Sequence, residues 1–297
     1  MMKKNSAIVM GIIILVVLLV LSFLSILHPA HDEDAHRMNE EYQKPSFEHW
    51  FGTGRGGYDL FYLVISGIKY TILVALAILF LRMLIALPIG LLTGINGGLI
   101  QKVLRKIATT LSAIPLFLIS FALLARITFN EAIPITTKLI IFIIINACVG
   151  APIIAYTISK IVERINQEPF VEGALILGAS KLYLLRKHIF PHMKPYLISL
   201  LITEIVHILW LMGHLGIFNI FVGGTLVESS PGLIIYYSIT NELAGLLAQN
   251  FSFIIVRQAP WLALIPAAVF VLIILAFNLI AEGIRKREQA PLRGVNL

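Results

Sequence analysis

Apolar runs separated by short charged segments organise this chain. Ile8 to Leu27 and Trp261 to Ala281 each run for about 20 residues, which at about 1.5 Å rise per residue spans a hydrocarbon core about 30 Å thick. The pattern predicts six membrane helices, at Ile8 to Leu27, Ile65 to Leu92, Ile107 to Ile127, Thr137 to Ser159, Pro195 to Val222 and Trp261 to Glu282. Two stretches between them are long: an outer one from Gly223 to Pro260 and an inner one from Lys160 to Lys194. The inner stretch is charged yet keeps helical apolar spacing, so short helices lying against the membrane or a partner are expected.

Composition agrees with a lipid environment. Of 297 residues, 58% are hydrophobic and 13% charged, about half the charge of a soluble domain, and mean hydropathy is +0.91. The net charge of +7 would suggest nucleic acid in a soluble protein. Here fifteen of the 23 basic residues, among them Lys3, Lys102, Arg105, Lys160, Lys181, Arg186 and Arg285, fall in segments on one side, which predicts cytoplasmic termini and no nucleic-acid role. Asp32, Glu33, Asp34, Glu40, Glu41, Glu48 and Asp59 gather in the first outer segment, read as a solvated loop. His28, His31 and His36 precede that acidic run and are read as part of the same loop. Ser25 to Pro29 offers no small-x-small cleavage site, so the first helix is expected to be retained. The single cysteine, Cys148, reads as packing.

The inner stretch carries the most specific signal. Pro169 suits a first helical position, Gly178 can take positive φ at a turn, and Pro191 is expected to end a second short helix. The result is a rigid elbow with Phe170, Leu175, Leu177, Leu182 and Leu185 as its apolar surface. Glu172-Gly173-Ala174, Gly178 and His188-Ile189-Phe190-Pro191 resemble the "EAA" loop of binding-protein-dependent ABC permeases, with Gly173 in place of the first alanine. Further matches are Ala86 through Gly94 followed by Gly97-Gly98, resembling the family's turn out of its second helix, and Ala113-Ile114-Pro115, resembling the break in its third. Ala259 to Pro266 with Ala276 to Leu279 resembles the final helix. The likeness is nearest to the dipeptide, oligopeptide and nickel branch, second permease type. It departs at Gly52 to Asp59, where an acid and the usual arginine are lost, and at Met212 to Phe218.

The resemblance implies an all-α, polytopic type I importer fold: residues 1–60 as an N-terminal helix with an extracytoplasmic segment, and 61–297 as the permease domain with coupling loop 160–194. It implies that Phe170, Glu172, Gly173, Ala174, Gly178, Ala179, Lys181, His188 and Pro191 dock a cytoplasmic ATPase, and that the chain sits in a bacterial cell membrane. The implied partners are a homologous permease, two ABC ATPase subunits and an external solute-binding protein. The implied cargo is peptides or similar small solutes, with nickel or a metal complex second. ATP and magnesium belong to the partner ATPase, because no Gly-x-x-x-x-Gly-Lys-Ser/Thr loop occurs in this chain. The chain is therefore expected to be non-catalytic, with no cofactor of its own. It carries no His-Glu-x-x-His or Gly-x-Ser-x-Gly motif that would mark an intramembrane enzyme. An ATP-independent carrier or channel is the alternative from another class; it would have no use for the elbow.

Arg82, Glu204, His207 and His214 are candidate pathway-lining residues. Glu204, His207 and His214 share a helical face, and in apolar surroundings they must be paired or line a wet cavity. A hydrogen-bonded stripe is the favoured reading over substrate gating or metal binding. Arg82 is expected to pair with Glu204, whereas Arg126 near an outer helix end can snorkel. Asn146, Gly150 and Pro152 are read as a kink or close helix contact without chemistry.

Overall fold

The computed structural model describes residues 2–24, 40–230, 233–251 and 257–288. The histidines at 28, 31 and 36, the Ser25 to Pro29 stretch and the acids at 32 to 34 lie outside the described residues.

The helices are α1 (Met2–Leu24), α2 (Leu60–Asn96), α3 (Gly98–Ala113), α4 (Leu116–Thr128), α5 (Ile135–Asn166), α6 (Pro169–Ile176), α7 (Lys181–Leu184), α8 (Phe190–Ile217), α9 (Leu243–Gln249) and α10 (Trp261–Glu288). By length and composition α1, α2, α5, α7 with α8, and α10 can each cross a membrane, and α3 with α4 is a bent pair, either a broken span or a re-entrant turn. The described residues thus give five spans, or six with the bent pair taken as one, against six apolar runs in the sequence.

Several boundaries differ from expectation. α2 runs straight through Pro88 to Asn96, and the chain turns at Gly97 and Gly98, both at positive φ. The glycines before that turn serve packing instead. A Cβ on Gly90 would lie 2.6 Å from Cβ of Ile158, and one on Gly94 would lie 2.6 Å from Cβ of Val162, so α2 and α5 approach backbone to backbone. α5 extends seven residues past Ser159 because its last turns, though charged outward, bury Val162 and Ile165. The third predicted helix is two helices bent by 82° at Ile114-Pro115, where the residue before proline is extended.

The long outer segment, expected only as a non-membrane stretch, holds an antiparallel hairpin. β1 (Thr225–Ser230) pairs with β2 (Leu233–Ser238), with Thr225 opposite Ser238, and α9 follows. This is the one sheet among the described residues of an otherwise helical molecule. Part of the first outer loop is also built rather than merely solvated. Asp59 caps α2 by accepting from Phe61 N at 2.8 Å and pairs with His49 at 3.0 Å, while Glu41 accepts from Gly56 N at 2.8 Å. Arg55 reaches Glu228 of the hairpin at 3.7 Å, joining this loop to the hairpin.

Two hydrophobic clusters fill the bundle. One gathers Ile68, Ile78 and Leu79 of α2, Phe142 and Ala147 of α5, Ile208 and Leu209 of α8, and Ile273 of α10. The other gathers Ala86 of α2, Leu104 of α3, Ala151, Ile158 and Val162 of α5, and Ile189 and Met193 at the root of α8. α1 lies against α10, with Gly11 beside the Ala276 carbonyl, so the first and last helices share a face. Cys148, expected to be packing, lies on an exposed face of α5.

Candidate functional site: an elbow and a buried polar node

α6 and α7 form the predicted elbow. Pro169 occupies the first turn of α6, where its missing N–H costs nothing. The end of α6 is a Schellman motif: Gly178, at φ 84°, donates to the Leu175 carbonyl at 2.9 Å, and Ala179 donates to the Ala174 carbonyl at 3.0 Å. This explains the places of Ala174, Gly178 and Ala179. Ser180, not singled out in the sequence, caps α7 by accepting from Tyr183 N at 3.3 Å.

Pro191 does not end a helix, contrary to expectation. The chain makes a π-turn over Leu185–Ile189, with Phe190 N bonded to the Leu185 carbonyl, and continues directly into α8. The wider turn satisfies carbonyls just ahead of a proline that cannot donate. The second arm of the elbow is consequently continuous with a membrane helix.

The elbow is rooted inside and bare outside. Val171, Leu184, Ile189 and Met193 are buried against the bundle. At the tip, Ile176 is 86% exposed and Leu177 is 88% exposed, beside half-exposed Leu175, Leu182 and Tyr183. Glu172 and Gly173 are exposed on α6, and nothing lies within 4 Å of a Cβ placed on Gly173. Phe170 stacks on His192 at 4.7 Å between ring centres and lies 6.0 Å from His188. Lys181 donates to Asn96 Oδ1 at 2.9 Å, tying the elbow to the end of α2. Ile176, absent from the predicted set, is thus among the most exposed apolar side chains; a loop-facing isoleucine gives no sign of this without the turn geometry.

The polar node lies between α2, α5 and α8. Arg82, 1% exposed, pairs with Glu204, 4% exposed, as expected, and its other amino group donates to the Asn146 carbonyl at 2.6 Å. Room for the guanidinium exists because residue 150 is glycine: an added Cβ would collide with Arg82. Asn146 and Gly150, read as packing, are therefore part of the charged site. His207 reaches the other Glu204 oxygen at 3.4 Å, its ring mostly exposed on the face of α8. His214 is separate: it bonds the Trp210 carbonyl at 2.6 Å and stacks on Phe117 at 5.2 Å. The expected three-residue stripe thus divides into a Glu204–His207 pair and a lone stacked histidine. Among the described residues no three His, Cys, Asp or Glu side chains converge as a metal site would need.

A second buried acid went unnoticed in the sequence. Glu242, at the start of α9, accepts from Val222 N at 3.1 Å, Thr240 Oγ1 at 2.8 Å and Ser238 Oγ. Burial pushes its carboxyl above the usual carboxylate range. Its donors come from the loop before the hairpin and from the end of β2, so no short sequence window reveals it.

Comparison with known proteins places this geometry. The family described as binding-protein-dependent transport system inner membrane component matches residues 86–289, which contain the elbow, Glu204 and the final helix. The probable D,D-dipeptide transport system permease protein DdpC of Escherichia coli (strain K12) is 26% identical over 96% of this chain and 88% of its own length. The dipeptide transport system permease protein DppC of Alkalihalophilus pseudofirmus is 25% identical over 96% of this chain and 86% of its own. The oligopeptide transport system permease protein OppC of Bacillus subtilis (strain 168) is 24% identical over 98% of this chain and 88% of its own. With the match covering the elbow and most of the bundle, this chain belongs to the family of inner membrane components of binding-protein-dependent transport systems, the ABC-type permeases.

Proposed function

We propose that this chain is one permease half of an ATP-driven importer of peptides or similar small solutes, working by alternating access. The elbow carries the reading. A rooted helix pair with Ile176 and Leu177 bare at its tip is built to seat in a groove of another protein and to pass that protein's movement into α8. The other protein is a cytoplasmic ABC ATPase, supplying ATP and magnesium, with two such subunits per complex. A homologous permease completes the pathway and an external binding protein delivers cargo. Both termini face the cytoplasm, because the basic residues concentrate on the elbow's side. Peptides are favoured as cargo by the names of the relatives.

The test is purification of the tagged full chain from its native cells in mild detergent, beside Ile176→Asp with Leu177→Asp. These side chains are nearly fully exposed, so the variant folds. Wild type should bring down an ATPase and a second permease, and the variant should keep the permease and lose the ATPase. Co-purification without any ATPase would sink the reading in favour of a carrier or channel.

A further inference from the structure

Beside the end of α5, α3 closes one wall of a small cleft of about 80 Å³ that is open to solvent. Gln101, Lys102 and Arg105 of α3 and Tyr156, Lys160 and Glu163 of α5 line it. Three cations face one carboxylate, and that carboxylate is already engaged. Glu163 accepts from Lys160 at 2.7 Å and from Gln101 at 3.0 Å, and Gln101 also donates to Ser159 at 3.3 Å. Among the described residues neither Lys102 nor Arg105 has a carboxylate within 4.0 Å. The cleft therefore offers two uncommitted cations over a neutral, hydrogen-bonded floor.

The other side of α3 is apolar and bare. Leu99, Ile100, Val103 and Ile107 are 77%, 68%, 48% and 46% exposed, while Leu104 and Ala108 are buried against α5. At about 100° per residue, the four exposed apolar positions and the cations Lys102 and Arg105 fall on opposite sides of the buried seam. The 82° break sets α3 steeply across the direction of α4. A helix so divided, basic on one side and apolar on the other, suits a membrane surface, and Tyr156 suits headgroup depth.

We propose that the cleft binds the phosphate headgroup of an anionic phospholipid, whose acyl chains leave it past Leu99, one turn from Lys102 on α3. Arg105 presents a planar fork to two phosphate oxygens, Lys102 adds a point charge, and the Tyr156 hydroxyl donates a further bond. The Lys160–Glu163 pair closes the floor without inviting a second cation. This rests on the membrane-spanning fold and not on the transport reading.

The test uses the full chain with whatever partner chains accompany it, delipidated in detergent and offered phosphatidylglycerol, phosphatidylcholine or soluble glycerol phosphate while bound lipid is counted by native mass spectrometry. Wild type should retain phosphatidylglycerol over phosphatidylcholine, and Lys102→Gln with Arg105→Gln should weaken that retention by about fivefold per charge removed. Arg285→Gln with Lys286→Gln removes the same charge at the end of α10 and should change it little. Glu163→Gln frees Lys160 and should strengthen it. Equal losses in the two double variants would reduce the effect to bulk surface charge and overturn the site. So would displacement of the lipid by an equal concentration of glycerol phosphate, which would assign the cleft to a soluble phosphate.

Discussion

Arg82 on α2 and Glu204 on α8 meet as an ion pair with both side chains almost fully out of solvent, and the guanidinium spends its second amino group on the Asn146 carbonyl of α5. Three helices thus share one charged joint. Removing one partner strands the other: Arg82→Ala or Glu204→Ala should each cost about 3–5 kcal/mol. An apolar pair of similar volume, Arg82→Met with Glu204→Leu, should recover most of the loss in detergent thermal-stability assays. The charge swap should recover less, because a carboxylate at position 82 would face the Asn146 carbonyl oxygen. Full rescue by the swap would mean that Asn146 contributes nothing.

Gly150→Ala should damage the same joint without touching a charge. The new methyl group occupies the space of the guanidinium, and overpacking of this kind costs about 1–3 kcal/mol. Combining it with Arg82→Met should remove most of the penalty, a coupling that a double-mutant cycle would read directly.

At the α2–α5 contact, Gly90→Val should lower the melting midpoint, since even a Cβ comes within 2.6 Å of Ile158. Ile158→Ala alone opens a cavity, yet together the two changes should be less harmful than their sum. Strict additivity would show that the helices part rather than pack tightly here.

Gly178→Val should spare membrane insertion and weaken coupling. A β-branched residue at φ 84° strains the turn by about 1–3 kcal/mol, loosening the end of α6 where Ile176 and Leu177 are displayed. The measurement is ATPase stimulation by cargo in the reconstituted complex: a fall in stimulation with unchanged basal hydrolysis is expected, and unaltered stimulation counts against the lever.

Glu242 supplies a pH dependence. Burial raises its carboxyl pKa in the folded protein, so its contribution to stability is full below the ordinary unfolded value of about 4.3 and is lost as pH rises through the raised folded value. Thermal midpoints compared between wild type and Glu242→Gln should converge at low pH and separate as pH rises, with the variant the more stable. Parallel curves would show that the three donors hold the charged form without penalty.

The spans, the elbow and the Arg82–Glu204 pair were legible because each leaves a local mark: an apolar run, Pro169 and Gly178 at helix boundaries, or a charge where lipid forbids one. The hairpin was less so. Leu233 to Ser238 is β-branched and aromatic enough for a strand, but it follows a polar stretch in a segment with no neighbouring sheet to predict. Gly150 and Asn146 resembled ordinary small and polar residues of a membrane helix until Arg82 arrived from another helix 64 positions away from Asn146. Pro191 misled because a proline normally terminates, and the π-turn ahead of it is a property of backbone register rather than of composition.

The two apolar clusters abut at the level of Arg82. Leu79 and Ala86 fall on opposite sides of it in α2, as Phe142 and Ala151 fall on opposite sides of the Asn146–Gly150 turn in α5. Oil on oil grips by shape alone and resists sliding everywhere equally; here a plane of charge interrupts the grip. The elbow's root joins the second cluster through Ile189 and Met193. At that level the contact between α2, α5 and α8 is carried by two polar bonds from Arg82, to Glu204 and to the Asn146 carbonyl, with Met83 packed against both clusters beside them. The molecule is jointed like a limb, with Arg82 as the pin.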